Sequence, residues 1–259
     1  MATLNMNTVL VVGSTSGIGE AFARRFHSMG KKVIITGRRQ DRLDALQAEL
    51  TGLETYNMDI ADLSRLPNHV ETLFKEHPAI DTVFFNAGIQ YASNVKDMAS
   101  TTDAKVIEEV AVNVTAPMIF ARHCIPLLLA QKDKQTTLMI TSSGLGFVPV
   151  GSLFPVYSST KAAIHAYCVG IRQALHGTNV SILEIVPPFV GGTNLGLEHR
   201  DLVKGLTPMP LRDFTNDIFA VLESTKAEEL KEVTAGTAAP RVEAWRSSIG
   251  KILDQGLGG

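Results

Sequence analysis

The sequence predicts an α/β fold, a doubly wound parallel sheet with helices on both faces, as a single domain over residues 1–259. Short apolar runs alternate with amphipathic segments about every thirty residues, which is typical of strands joined by crossover helices. The composition does not change along the chain, so no second domain is indicated. Glycine-rich and polar residues follow the apolar runs, at the sheet edge where such folds bind ligands.

Composition excludes several classes of function. The chain has 45% hydrophobic residues and a net charge of −2, without a basic block, so we expect no nucleic-acid or membrane partner. No leader is visible, and Cys124 and Cys168 lack metal-ligand spacing, which favours a cytoplasmic protein with reduced thiols. The seven histidines are scattered, so no metal site is expected.

The first apolar run, Thr8–Val12, leads into a glycine-rich turn and an amphipathic segment that ends near Gly30. This order predicts the front of a Rossmann βαβ unit, in which glycines let the backbone approach a pyrophosphate at a helix N-terminus. The alternative is a tight turn with close helix packing. The predicted cofactor-binding residues of this turn are Gly13, Ser14, Ser16, Gly17, Ile18 and Gly19.

The second strand, Lys32–Thr36, is followed by Gly37, Arg38 and Arg39. Sites for NAD place an acid at the position of Gly37, whereas two guanidinium groups suit a 2′-phosphate. NADP(H) is therefore the predicted cofactor, and the alternative is a solvated arginine pair that begins a helix.

Further strands are predicted at Leu53–Met58, Ile80–Phe85, Thr137–Thr141, Val180–Val186 and near Glu232–Ala235. Helices are predicted at 39–51, 102–131, 213–226 and 240–254, together with one helix that ends at about Glu76 and one that begins near Tyr157. Polar or small residues follow several strands. Asp59, next to Ile60, either accepts a hydrogen bond from an adenine amino group or caps a helix near Asp62. The backbone at Asn86, Ala87 and Gly88 offers space for a cofactor ribose.

Tyr157 and Lys161 lie four residues apart at the start of a predicted helix, on one face of it. An ammonium near a phenol lowers the phenol pKa, and a shift from about 10 to about 7 requires roughly 4 kcal/mol. A phenol with such a pKa exchanges protons at neutral pH. The alternative is that the two residues lie near each other on an amphipathic helix by chance. Asn113, in the apolar stripe of the 102–131 helix, is a second polar residue that needs a partner.

The segment 187–210 is rich in glycine and predicts a mobile substrate loop. Five residues near the predicted site suggest an apolar substrate: Tyr91, Phe147, Phe154, Phe189 and Met209.

With the glycine turn, Asn86-Ala87-Gly88, Asn113, Ser143 and the Tyr157–Lys161 pair in this order, the chain resembles the short-chain dehydrogenase/reductase family over nearly its whole length. Within that family, the stretches around Ser143 and Tyr157 resemble the DltE-type oxidoreductases. The resemblance implies that Tyr157 is the general acid and that Lys161 lowers its pKa and holds the nicotinamide ribose. Ser143 would bond the substrate oxygen, and Asn113 would hold a water that relays protons to Lys161.

The resemblance also implies that Asp59 and Ile60 lie at the adenine and that Pro187, Val190 and Thr193 lie near the nicotinamide. Two departures from the family pattern leave alternatives open. Ser143 lies fourteen residues before Tyr157, one more than usual, so Ser142 is a rival, and an extra glycine precedes Thr193. The family further implies a homodimer or homotetramer packed through helices 102–131 and 157–176, with His165 and Cys168 at the interface.

The expected function is therefore an NADP(H)-dependent oxidoreductase that transfers hydride between nicotinamide and a carbonyl or alcohol of a small, apolar substrate. The alternatives are a dinucleotide-binding regulatory protein without turnover, and a reductase of an enone or imine.

Overall fold

The computed structural model describes Leu4 and residues 6–149, 153–196 and 201–254. Its strands are β1 Thr8–Val12, β2 Lys32–Gly37, β3 Glu54–Asn57, β4 Thr82–Phe85, β5 Thr136–Thr141, β6 Val180–Val186 and β7 Glu232–Thr234. They form one parallel sheet in the order β3-β2-β1-β4-β5-β6-β7. The predicted doubly wound fold is confirmed.

The helices are α1 Gly17–Ser28, α2 Gln40–Glu49, α3 Leu66–Glu76, α4 Asp103–Val110, α5 Ala116–Leu129, α6 Gly144–Phe147, α7 Pro155–Ala174, α8 Leu211–Ser224, α9 Ala239–Trp245 and α10 Lys251–Asp254. The predicted helix 102–131 is divided into α4 and α5 by a π-helical turn at Ala111–Thr115. A second π-helical turn, Arg246–Gly250, joins α9 to α10. The four-residue α6 was not predicted.

Among the described residues, the core has two large apolar layers, one on each face of the sheet, and a small cluster formed by Val186, Ala238 and Val242. Along β1, Val9 and Val11 belong to one layer, whereas Leu10 and Val12 belong to the other. The first layer includes aromatic side chains of α1 and α8, and the second includes side chains of α3, α5 and α7. A strand covered on both faces has no polar face, which explains the continuous apolar run of β1.

The segment Asp103–Leu129 is long and apolar enough to cross a membrane by length and composition. The core helix of a soluble protein meets the same criterion. Here Phe120, Cys124 and Leu128 are fully buried in the second layer, so we interpret the segment as a core helix.

The expectation that His165 and Cys168 lie at a subunit interface is wrong. Cys168 is fully buried inside the chain as a free thiol. His165 is almost fully buried, and its Nδ1 lies 2.8 Å from Glu184 Oε2. Its ring packs against Phe147 and Trp245. Both residues are therefore part of the interior of the subunit.

Candidate active site

A cavity of about 930 Å³ lies at the edge where the carboxyl ends of β1, β2, β4, β5 and β6 meet. It extends from the glycine turn to the segment that follows β6. Most of the residues predicted for the site line it: Gly13, Ser16, Gly17, Ile18, Arg38, Arg39, Asp59, Ile60, Asn86, Ala87, Gly88, Ser143, Tyr157, Lys161, Pro187, Val190 and Thr193.

The glycine turn forms one wall of the cavity and leaves no room for side chains at two positions. Gly13 has φ +81°, and a Cβ there would lie 2.6 Å from the Cα of Ala87. A Cβ on Gly19 would overlap the carbonyl oxygen of Gly13. Because the turn opens directly into α1, it combines close backbone approach with a helix N-terminus, which suits a pyrophosphate.

Two residues predicted to bind cofactor do not line the cavity. Ser14 is fully buried, and its hydroxyl donates to the carbonyl oxygens of Val11 and Thr36 at 3.0 Å each. Ser14 therefore joins β1 to β2 behind the turn, and the prediction that it contacts cofactor is wrong. Gly19 is buried beneath the turn and acts through packing.

The end of β2 forms the cavity wall at the position where the adenosine ribose is predicted to bind. A Cβ on Gly37 would lie 2.5 Å from Thr15 Cγ2, so the acid typical of NAD sites has no space there. Arg39 Nη2 donates to Thr15 Oγ1 at 2.8 Å and to Ser16 Oγ at 2.9 Å, whereas Arg38 is exposed at the cavity. Two guanidinium groups thus face this end of the cavity.

Asp59 does not cap a helix, and its hydrogen bond to an adenine amino group stays a prediction. Its Oδ1 accepts a hydrogen bond from Ala61 N at 3.0 Å, so it caps a turn, and the residue also lines the cavity. The turn continues to Arg65, and α3 begins at Leu66, four residues later than the helix start expected near Asp62.

Asn113 lies in the π-helical turn and holds the segment after β4. Its Oδ1 accepts from Ile89 N at 2.9 Å, and its Nδ2 donates to Ile89 O at 2.8 Å and to Thr160 Oγ1 at 3.2 Å. These bonds satisfy the buried amide, and a π-helical turn is often found at a functional site. The predicted water relay through Asn113 stays a prediction.

Ser143 and Tyr157 both line the cavity, and hydrogen bonding from Ser143 acts to lower the pKa of the Tyr157 phenol. Ser143 also caps α6, because its Oγ accepts from Leu145 N at 3.2 Å. Ser142 lines the cavity as well, and among the described residues its buried hydroxyl has no hydrogen-bond partner. The effect of Ser143 on the pKa of Tyr157 favours Ser143 as the partner of a substrate oxygen, and the choice between Ser143 and Ser142 stays a prediction.

Lys161 is 3% exposed, and its Nζ donates to Thr141 O at 2.9 Å. The Nζ lies 5.6 Å from the centroid of the Tyr157 ring. Burial lowers the pKa of Lys161 to about 8, although the negative charges of Glu184 and Glu109 act in the opposite direction.

The expected direction of the Tyr157 pKa is wrong in this structure. Burial raises the pKa of the phenol well above its usual range, the hydrogen bond with Ser143 opposes this shift, and the charge of Glu109 adds to it. Desolvation outweighs the effect expected from Lys161 because both groups are buried. The phenol is therefore protonated at neutral pH, which suits a proton donor.

Glu109 is a buried carboxyl behind the cavity wall that sequence reasoning missed. It is 1% exposed and accepts a hydrogen bond from Tyr91 N at 3.1 Å, one helical turn before Asn113. Burial raises its pKa to about 7, while the bond from Tyr91 and the charge of Lys161 act to lower it. Glu109 and Asn113 together fix the 88–91 segment to the helix that precedes α5.

The 187–210 segment contacts the cavity from its far side. Its two ends are joined where Gly191 N donates to Met209 O and Met209 N donates to Phe189 O, each at 2.8 Å. Thr193 Oγ1 donates to Val190 O at 3.3 Å, and a Cβ on Gly17 would lie 3.3 Å from Thr193 Cβ. Thr193 thus packs close to the glycine turn. Residues 197–200, including Leu197, lie outside the described residues.

Three of the five predicted apolar pocket residues line the cavity: Tyr91, Phe154 and Phe189. The other two do not. Phe147 packs against His165 and Trp245, and Met209 packs against the first core layer. Further cavity residues that sequence reasoning did not single out are Thr15, Gln90, Glu108, Leu145, Leu153, Thr237 and Arg241.

Comparisons with known proteins agree with this geometry. A family model described as short chain dehydrogenase matches residues 7–201. The uncharacterized oxidoreductase DltE of Bacillus subtilis is 34% identical over 203 residues, 78% of this chain and 77% of the relative, which confirms the resemblance to DltE-type oxidoreductases. The NADP-dependent 3-hydroxy acid dehydrogenase YdfG of Salmonella typhi is 32% identical over 186 residues, 71% of this chain and 73% of that protein.

Solved structures give the same result. The closed form of a serine dehydrogenase complexed with NADP+ has a TM-score of 0.77 at 26% identity, with 88% of this chain and 94% of that chain covered. A short-chain dehydrogenase from Sphingobium yanoikuyae in complex with NADPH has a TM-score of 0.80 over 96% and 95%, and at 20% identity it supports the fold alone. Because the family model covers most of its length, the chain belongs to the short-chain dehydrogenase family.

Proposed function

We propose that this oxidoreductase transfers hydride between NADP(H) and a carbonyl or alcohol of a small, mainly apolar substrate, with Tyr157 as general acid and base. The observation that carries this proposal is the buried Tyr157–Lys161 pair, which lines one cavity together with Ser143 and the glycine turn. Binding of a dinucleotide alone does not require such a pair.

The residues fit a dinucleotide, because Gly13, Gly17 and Gly88 line the cavity without side chains and the glycine turn opens directly into the N-terminus of α1. The chemistry that a nicotinamide dinucleotide supplies at such a site is hydride transfer. Ser143 Oγ orients the substrate oxygen, and the Tyr157 hydroxyl gives its proton to that oxygen during reduction. Lys161, fixed by Thr141 O, supplies a positive charge that stabilises the phenolate left behind.

The preference for NADP(H) is supported by Gly37, which has no space for an acid, and by Arg38 and Arg39 at the cavity. One relative is named as NADP-dependent, and one related structure contains NADP+.

Replacing Arg38 by alanine is expected to raise the KM for NADPH by roughly tenfold to a hundredfold, since a charge-assisted hydrogen bond contributes about 1.5–3 kcal/mol. The KM for NADH should change by less than about twofold, because NADH has no 2′-phosphate. Steady-state kinetics with both cofactors measure this. Equal changes for the two cofactors would contradict the assignment of Arg38 to the 2′-phosphate.

Replacing Glu109 by glutamine is expected to move the high-pH loss of reductase activity to lower pH. The negative charge of Glu109 raises the pKa of both Tyr157 and Lys161, so removing it lowers both. Glutamine retains an oxygen that accepts from Tyr91 N. The pH profile of kcat/KM measures the shift, and Asp103→Asn, an exposed acid on the same helix, is the matched control.

The pH dependence of the free energy of unfolding gives a second test of the burial of Glu109. Burial raises the pKa of Glu109 from its ordinary value of 4.5 to about 7, so between pH 4.5 and 7 the folded protein binds more protons than the unfolded chain. The free energy of unfolding therefore falls over this range as pH rises, by on the order of 3 kcal/mol, and glutamine should remove this fall. Identical pH dependence in wild type and Glu109→Gln would show that the carboxyl is not buried in solution.

The proposed activity is tested by titrating the protein with NADPH and then following absorbance at saturating NADPH with a panel of ketones and aldehydes. Binding without turnover across the panel would favour the alternative of a dinucleotide-binding regulatory protein. Turnover only with enones or imines in the same assay would favour the other alternative.

We also propose that residues 187–210 form the substrate loop of a single domain and that the protein is a cytoplasmic homodimer or homotetramer. Exposed apolar side chains on α4 and α5 support assembly, since Ile107 is 68% exposed and Leu127 is 37% exposed. A monomer in sedimentation velocity at micromolar concentration would contradict the proposed assembly.

A further inference from the structure

Arg241, in the first turn of α9, places a guanidinium beside the candidate catalytic serine. The residue is half-buried and lines the cavity. A Cβ on Gly144, the residue that follows Ser143, would lie 3.5 Å from Arg241 Nη1. The positive group is thus within a few ångströms of the backbone that carries Ser143.

The hydrogen-bonding capacity of Arg241 is almost unused by the described part of the chain. Its Nη1 donates to Val148 O at 3.4 Å, which is long for a hydrogen bond, and no salt bridge to a described residue involves it. Arg246, on the following turn, is different, because its Nε donates to Glu232 Oε2 at 2.9 Å. Since a guanidinium has five N–H donors, Arg241 keeps several for a group in the cavity.

The position of Arg241 separates it from the predicted phosphate sites. Arg38 and Arg39 follow β2 and the glycine turn follows β1, whereas Gly144 follows β5. In the strand order β2-β1-β4-β5, neighbours are about 4.8 Å apart, so β5 lies about 14 Å from β2 and about 10 Å from β1. An anion at Arg241 would therefore lie near the end of β5, away from the predicted phosphate sites.

We propose that Arg241 binds a carboxylate of the substrate and makes the enzyme selective for short oxo acids and the corresponding hydroxy acids. This inference rests on the proposed function and adds the substrate class. With the carbonyl oxygen at Ser143 and Tyr157, a carboxylate a few bonds away reaches the guanidinium, which matches the planar carboxylate with two parallel N–H donors. The rest of the substrate faces apolar side chains, among them Leu145, Phe154, Phe189 and Leu206.

Glu108 is a negatively charged residue of the cavity lining that would act against an anion, and it is already hydrogen-bonded. Its Oε2 accepts a hydrogen bond from the Tyr91 hydroxyl at 2.8 Å. This bond holds the carboxylate at the Tyr91 hydroxyl. Arg241 is then the cation that selects among substrates, whereas Lys161 serves the proton transfer.

The experiment compares a short 3-oxo acid with its methyl ester, which has the same carbonyl but no charge, as substrates at saturating NADPH. Wild type should show a kcat/KM at least about tenfold higher for the acid, as expected for one charge-assisted bidentate contact.

Arg241→Met should lower kcat/KM for the acid by about tenfold to a hundredfold and change kcat/KM for the ester by less than threefold. Arg241→Lys should be intermediate, since lysine keeps the charge without the paired donors. Arg212→Met removes a guanidinium whose side chain is 88% exposed and serves as the matched control.

A binding measurement keeps this inference separate from the proposed function. Butanoate should stabilise the NADP+-saturated wild type against thermal unfolding more than butanamide at equal ionic strength, and Arg241→Met should abolish the difference. Equal effects of butanoate and butanamide on wild type would overturn the carboxylate site, whatever the enzyme reduces. Equal loss of acid and ester reduction in Arg241→Met would also overturn it and indicate a structural role at Val148. If neither compound nor any other carbonyl is reduced while butanoate still binds through Arg241, the proposed function fails and the anion site remains.

Discussion

Replacing Tyr157 by phenylalanine is expected to lower kcat/KM for carbonyl reduction by about a hundredfold to ten-thousandfold, the range typical of a lost general acid. The substitution removes one hydroxyl, which is protonated at neutral pH because burial raises its pKa. The phenylalanine ring fills the same volume. Single-turnover and steady-state rates with NADPH and a substrate found by screening measure the loss.

The binding of NADPH should be nearly unchanged in this variant, with a Kd within about threefold of the wild-type value, because the proposed cofactor contacts lie mainly at the glycine turn. Tyr167→Phe is the matched control, since it removes the same atom from a half-buried tyrosine on the same helix, away from the cavity. Wild-type turnover in Tyr157→Phe would exclude this hydroxyl as the proton donor and would leave only the scaffold of the proposal.

The sequence predicts the site best where the determinants are local. The apolar run of β1, the glycine turn and the i, i+4 pair of Tyr157 and Lys161 each fix their own geometry within a few residues, and the structure places them as expected. The edge at which they meet follows from parallel strand order, which does not depend on the details of side-chain packing.

Other features depend on contacts between distant parts of the chain. Residues 102–131 have one continuous apolar periodicity, and nothing in it shows that the helix widens at Ala111–Thr115. The burial of Glu109 depends on the 88–91 segment, which covers it only after folding. Arg241 reaches Ser143 through the connection from β7 to α9, almost a hundred residues later in the chain.

The direction of the Tyr157 pKa could not be predicted from spacing, because spacing shows the charge of Lys161 but not the desolvation of both groups. The position of an aromatic residue in a loop also predicted poorly whether its side chain lines the cavity. Phe147 and Phe154 flank the same segment, yet one packs against His165 and the other lines the cavity. The difference arises from α6, which is too short to leave a periodic pattern.

Replacing Gly19 by alanine is expected to disrupt the glycine turn, destabilising the fold by about 3 kcal/mol or more and weakening NADPH binding at least about tenfold. The added Cβ would overlap Gly13 O and lie 2.9 Å from Asn86 Nδ2. Gly13 O is a backbone atom held between β1 and Ala87, so it cannot move aside as a flexible side chain would. The turn must therefore open, and with it the backbone surface that faces a pyrophosphate.

Denaturant unfolding and fluorescence titration with NADPH measure the two effects separately. Gly170→Ala is the matched control, because Gly170 lies in α7 and no atom lies within 4 Å of its added Cβ. There the same substitution should stabilise the protein by about 0.5–1 kcal/mol through helix propensity and leave the Kd for NADPH unchanged. If Gly19→Ala were as stable as Gly170→Ala and bound NADPH equally well, the close contact between α1 and the glycine turn would not exist in solution. The proposed cofactor site, which depends on that contact, would then lose its main structural support.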